Sequence, residues 1–233
     1  MKEIIKLVNV GKDYNSQSEN FSALKNINLS INKGEFISII GKSGSGKSTL
    51  LNIMSAIDHP TNGDVIVNNT DILLLKNSKL DRWRGENIGL VFQFFQLIPT
   101  LSVIENVILP MDFCNSIPLK ERHERALELL KLVELTDKQN KFPDILSGGE
   151  KQRLAIARSL ANKPPVILAD EPTGNLDSIT ATTIYKLFES LNKQGQTIII
   201  VSHDPSSQQY TNRTINIADG SIVDDSLTGC NHV

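Results

Sequence analysis

One segment has residue types in an order suited to gripping a phosphate chain: Gly41-Lys42-Ser43-Gly44-Ser45-Gly46-Lys47-Ser48, followed by Thr49. Glycines let the backbone curl until successive N–H groups point inward at an anion. The apolar run Phe36–Ile40 leads in and a stretch of helical spacing, Ser48–Ile57, leads out, so the positive end of a helix dipole faces the same point. In that setting Lys47 places a point charge between the β- and γ-phosphates of a nucleotide, and the Ser48 hydroxyl ligates Mg2+. Without the flanking elements the same residues would read as a flexible turn.

A second signal is Val166-Ile167-Leu168-Ala169-Asp170-Glu171. The apolar residues predict a buried strand parallel to Phe36–Ile40, and its end delivers two carboxylates. Asp170 suits holding Mg2+ through water, and Glu171 suits a general base that polarises an attacking water. Acidic residues also end strands at ordinary solvated edges, so the pair carries weight through the phosphate loop before it. The third signal is Leu146-Ser147-Gly148-Gly149-Glu150, a capping-box pattern with a glycine pair at a helix start. Such a start exposes N–H donors beside a serine hydroxyl and can hold a second anion face. The first loop cannot reach the far side of a γ-phosphate, so a second chain supplying this segment is a workable geometry.

In this order, and with three further segments, the sequence resembles the nucleotide-binding subunits of ATP-binding-cassette (ABC) transporters from about Lys6 to Asp224. The further segments are Val91-Phe92-Gln93, Gly174-Asn175-Leu176-Asp177 and Ser202-His203-Asp204. The resemblance implies ATP and Mg2+ as ligands and a head-to-tail dimer in which Ser147, Gly148 and Gly149 of one subunit cap ATP held by the other. It implies that Tyr14 stacks on adenine, although a lone aromatic ahead of a strand packs as readily. It places Gln93 near Mg2+ and the lytic water, His203 at the γ-phosphate and Glu171, and Asp177 across the dimer interface. Gln93 would also report nucleotide occupancy to a membrane partner.

The stretches Val91–Leu101 and Leu168–Asp177 are similar to one subgroup, whose members serve lipoprotein release, macrolide or peptide efflux, antimicrobial-peptide resistance and cell-division signalling. That implies a partner with membrane spans and a large extracytoplasmic domain, and work that is often mechanical. Gln96 stands where asparagine is frequent and Glu150 where glutamine is common. The aromatic-rich run Phe92–Pro99 reads either as a satellite core or as part of a groove receiving a short helix of that partner.

The elements that position these residues can be read coarsely. Ile4–Val10, Leu24–Ile31 and Asp64–Val67 are β-like runs of antiparallel type; Phe36–Ile40, Val166–Ala169 and Thr197–Val201 suit a parallel sheet. The middle of the chain, from about Ser78 to Asp144, is rich in helical signal, with a capping box at Ser102–Glu105 and a helix over Leu119–Leu135. A helix follows Ser147 to about Ala161, another spans roughly Ser178–Leu191, and a hairpin turns at Asp219-Gly220. The predicted architecture is α/β: a phosphate-loop NTPase core with a mostly parallel sheet, an antiparallel β subdomain and an inserted α-helical subdomain. One domain covers 1–224, with the helical subdomain over about 87–162 and a frayed tail over 225–233.

A formal charge of −2 excludes nucleic-acid binding through bulk electrostatics, so any anion site is local. The charge-free run Asn87–Ile104 is interrupted by glutamines, Pro99, Thr100 and Ser102 and does not read as a membrane span. Cys114 and Cys230 lack metal-ligand spacing and suggest no disulfide framework. Arg82, Arg84, Arg153 and Arg158 read as donors to structural ion pairs. The expectation is a cytoplasmic protein brought to the membrane by its partner. Two competing readings are a soluble, non-transport cassette ATPase and a nucleotide-gated signalling subunit. The short interval between phosphate loop and Ser147, the single phosphate loop, and the intact Glu171 and His203 weigh against them.

Overall fold

The computed structural model describes residues 2–15, 20–76 and 78–227. Strands β1 (Glu3–Asn15), β2 (Asn20–Asn32), β4 (Asn62–Val67) and β5 (Thr70–Asp71) form an antiparallel sheet in the order β2-β1-β4-β5. A second sheet of six strands holds β3 (Phe36–Ile40), β6 (Ile88–Phe92), β7 (Val166–Asp170), β8 (Thr197–Ser202), β9 (Arg213–Ala218) and β10 (Ser221–Leu227). Its order is β10-β9-β3-β8-β7-β6, parallel throughout except for β10. The helices are α1 (Lys47–Met54), α2 (Ser78–Asn87), α3 (Val103–Cys114), α4 (Leu119–Leu132), α5 (Gly148–Ser159) and α6 (Ser178–Lys193). None is long and apolar enough to cross a membrane.

The central strands are apolar at most positions, Ser38, Thr197, Ser202 and Asp170 being the exceptions, because both faces of the sheet are covered. In β8, Ile199 and Val201 join one core with α1 and the antiparallel sheet, whereas Ile198 and Ile200 join another with α3 to α6. The period of two thus splits one strand between two cores. β7 is parallel to β3 as expected, with β8 inserted between them. The carboxyl ends of β3, β8 and β7 therefore lie side by side, where open α/β sheets bind ligands.

Two boundaries differ from the sequence reading. The run Ile88–Phe92, assigned there to the helical subdomain, is a strand at the edge of the core sheet, paired with β7 from Ile88↔Val166 to Phe92↔Asp170. A short continuous apolar run has no periodicity to distinguish strand from helix. At the other end, β10 continues past Asp224 to Leu227, which pairs with Arg213. Its acidic residues suggested a segment with nothing to pack. Instead, the Arg213 guanidinium grips Asp225 through two bonds of 2.7 Å, and the backbone ladder carries the strand. The rest of the expected tail, and Cys230, lie outside the described residues; Cys114 is a buried free thiol.

Candidate nucleotide site

The phosphate loop follows β3 and turns into α1. Gly44 and Gly46 have φ of 79° and 104°, a region that side chains with a Cβ avoid. A Cβ on Gly46 would lie 2.5 Å from the Ala23 carbonyl oxygen, so only glycine lets the loop press against β2. Helix α1 has no side-chain cap and no acid in its first turn, leaving its first N–H groups for another acceptor. The buried Ser45 hydroxyl likewise has no partner among the described residues. Lys47 Nζ donates to the carbonyls of Gly41 and Lys42 at 2.8 and 2.9 Å, which holds its charge at the mouth of the loop.

From β7, Asp170 reaches the same helix start and accepts a 3.2 Å hydrogen bond from Ser48 Oγ. Burial raises the Asp170 carboxyl above its ordinary range; the neighbouring Glu171 charge adds to this, while Ser48 and Lys47 oppose it. Such a group is stabilised by a cation. A hydroxyl and one carboxylate are the small protein set that Mg2+ uses alongside phosphate oxygens. Glu171 adopts φ 48°, unusual for a residue with a Cβ, and its N–H donates to Val201 at 2.9 Å. Its carboxylate accepts from the His203 main-chain N–H at 2.9 Å and from Ser202 Oγ at 3.3 Å. The His203 Nδ1 lies 2.8 Å from the oxygen that accepts the main-chain bond, where it serves as the donor to the carboxylate.

Lys47, Ser48, Thr49, Glu171 and His203 line one cleft of about 280 Å³, with Phe21 and Ala23 from β2 in its wall. Ser43 and Gly44 also line it. Gln93 follows the last residue of β6, Phe92, which pairs with Asp170. Its Nε2 donates to Asn175 Oδ1 at 3.3 Å, and Asn175 Nδ2 returns a bond to the Gln93 carbonyl at 3.1 Å. Gly174 makes room for this pairing, since a Cβ there would lie 2.8 Å from Gln93 Nε2. Tyr14, on β1, is paired across the strands with Phe21.

Ser147, Gly148, Gly149 and Asp177 are not brought to this cleft. Ser147 and Glu150 form the expected capping box, and Glu150 is also paired with Lys138. Asp177 caps α6, accepting from the N–H groups of Ile179 and Thr180 at 3.0 and 2.9 Å. The two helix starts adjoin, because a Cβ on Gly149 would lie 2.5 Å from Thr180 Cγ2.

Sequence reasoning passed over several residues. Phe21 and Ala23 enter the cleft because β2 folds back beside the phosphate loop, a placement that no local sequence signal carries. Asn175 was quoted only as part of a loop. Of the arginines, Arg82 and Arg84 do form ion pairs, with Glu86 and Asp81. Arg158 does not: its half-buried guanidinium donates to the carbonyls of Phe95 and Gln96, both with φ 55°. Carbonyls rather than carboxylates balance it, and burial lowers its pKa.

Residues 24–174 match the family model described as ABC transporter. The ABC transporter ATP-binding protein YvrO of Bacillus subtilis is 46% identical over 98% of this chain and 100% of its own length. The lipoprotein-releasing system ATP-binding protein LolD of Bacteroides thetaiotaomicron is 45% identical over 95% and 100%. Among solved structures, the cassette MJ0796, as a dimer in a post-hydrolysis state bound to ADP and Pi, superposes with a TM-score of 0.88. It is 46% identical, covering 97% of this chain and 99% of that one.

Proposed function

The chain belongs to the ABC transporter family and is an ATPase, and we propose that it works as one half of a head-to-tail dimer that drives a membrane protein. One observation carries this reading. The phosphate loop, Glu171 and His203 line one cleft and Asp170 is bonded to its Ser48, while the exposed start of α5 at Ser147 lies outside it. Each chain then holds half of two sites, and Ser147, Gly148 and Gly149 of one copy close the ATP bound by the other, with Asp177 at the same interface.

Within the composite site, Gly41 to Thr49 cradle the phosphates and Lys47 exchanges its carbonyl partners for phosphate oxygens. Tyr14 stacks on the base. Ser48, Gln93 and Asp170 would hold Mg2+, which when bound would offset the charge of the transferred phosphoryl group. Glu171 takes a proton from water as that water attacks the γ-phosphorus; the bond to the β-phosphate oxygen breaks and ADP leaves with inorganic phosphate. His203 keeps the Glu171 carboxylate aimed at that water.

The partner surface lies beyond Gln93. Phe94 and Phe113 are 71% and 80% exposed, and a recess of about 190 Å³ bounded by Leu90, Phe92, Pro110 and Arg158 opens there. This supports docking of a helix from an integral membrane subunit with an extracytoplasmic domain, with the ATPase peripheral on the cytoplasmic face. Its work is the export or mechanical handling of lipoproteins, peptides or antibiotics, and the likeness to the lipoprotein-releasing system protein LolD supports the first of these. A Glu171→Gln variant should bind ATP, dimerise in its presence and release no phosphate; unchanged turnover sinks the assignment of the base. Co-purification with a membrane protein, and crosslinks from Gln96 or Ile98 to it, test the transporter reading.

A further inference from the structure

Tyr14 is anchored from two sides by residues that none of the phosphate-site motifs contains. Its hydroxyl donates to Asp58 Oδ2 at 2.8 Å. The Lys12 ammonium lies 4.9 Å from the centre of the Tyr14 ring, covering one face, and donates to Asp58 Oδ1 and the His59 carbonyl, each at 2.7 Å. Asp58 therefore bridges the phenol and the ammonium, one oxygen to each.

The bridge joins two parts of the molecule. Lys12 and Tyr14 belong to β1, whereas Asp58 closes the turn after α1, its N–H donating to Asn52 at 3.1 Å. Helix α1 begins at the phosphate loop. The aromatic on β1 is thus tied to the element that carries Lys47 and Ser48. Tyr14 also opposes Phe21, whose side chain lines the phosphate cleft, so the ring stands beside that cleft.

We propose that Lys12 and Asp58 are positioning residues for the nucleotide base: they fix Tyr14 as a one-faced platform at a set distance from the phosphate cradle. Lys12 occupies the back of the ring, which leaves a single face for a purine. A freely rotating exposed tyrosine would lose rotamer freedom when a base stacks on it; this one has lost it beforehand. Hydrogen bonds from Lys12, Tyr14 and the His59 N–H outweigh burial, which alone would raise Asp58, and hold its carboxyl below the ordinary value. The bridge is therefore charged at neutral pH.

This rests on the reading of Tyr14 as the base platform, and affinities for Mg-ATP and for Mg-triphosphate, which has no base, separate the two claims. Stacking of one base on an aromatic is worth a factor of about 5 to 150 in affinity, and Tyr14→Ala should lose that factor for ATP only. Asp58→Ala and Tyr14→Phe should each lose a smaller part, about threefold to tenfold, without adding when combined. Asp58→Asn, which keeps an acceptor for the phenol, should recover part of the loss. Triphosphate affinity should stay at the wild-type value throughout. If Tyr14→Ala weakens ATP but Asp58→Ala and Tyr14→Phe do not, the positioning role is wrong and the platform stands. Equal losses for ATP and triphosphate would make Asp58 a support of the phosphate loop and also overturn the proposal. If Tyr14→Ala binds ATP normally, the platform itself is wrong.

Discussion

A single carboxylate oxygen of Glu171 receives both the main-chain N–H and Nδ1 of His203, at 2.9 and 2.8 Å. One bond survives any substitution of the histidine except proline, and the other does not. His203→Ala should therefore lower turnover by less than the factor of about 10²–10⁴ expected when a positioned base is lost in Glu171→Gln. Phosphate release under saturating ATP compares the two, and an equal loss would show that the ring acts beyond holding Glu171.

Gly149 has a packing reason to lack a side chain. Its Cβ would meet Thr180 Cγ2 at 2.5 Å, and overpacking of this kind costs about 1–3 kcal/mol. Gly149→Ala should lower the midpoint of denaturant unfolding. Adding Thr180→Ser removes the opposing methyl, keeps the hydroxyl that bonds Asp177, and should restore most of the loss.

Asp170 should trade stability against function. Because burial holds its carboxyl above the ordinary value, ionising it costs the nucleotide-free fold. That cost is absent below the pKa of the unfolded chain, grows as pH rises through the window between unfolded and folded values, and is complete above it. Asp170→Asn should accordingly melt higher than the wild type at neutral pH, with the gain disappearing in acid, while Mg2+-dependent hydrolysis is lost. Melting curves from pH 3 to 8 in the absence of nucleotide, about the ordinary carboxylate value, check the sign.

Arg158 connects the end of α5, the helix that begins at Gly148, to the segment after Gln93. Its two terminal nitrogens hold neighbouring carbonyls of residues in left-handed conformation, each bond to a charged donor being worth about 1.5–3 kcal/mol before desolvation is counted. Arg158→Met should speed amide exchange at Phe95 to Leu97 and leave ATP affinity near wild type. Lysine, lacking a planar fork, should not restore protection.

Much of the site was legible because it is local in sequence. A phosphate loop is one strand end, one turn and one helix start, and its glycines, Lys47 and Ser48 are contiguous. The capping boxes at Ser102 and Ser147 are likewise settled within four residues. The strand Ile88–Phe92 was hidden because five apolar residues carry no period, and the extension of β10 because its stability comes from a distant arginine.

The sequence by itself determined which chemical pieces the chain has: a glycine-rich loop of phosphate-binding type, a carboxylate pair at a strand end and a capped helix start with a glycine pair. Only the tertiary structure decided which of these meet. Inserting β8 between β3 and β7 sets His203 beside Glu171 and brings Asp170 to Ser48, 122 residues away. The same packing leaves Ser147 to Gly149 against α6, and it bridges Tyr14 to the phosphate-loop helix through Asp58. Strand order and helix packing arise from burying both faces of one sheet, a property of the whole chain that no short segment carries.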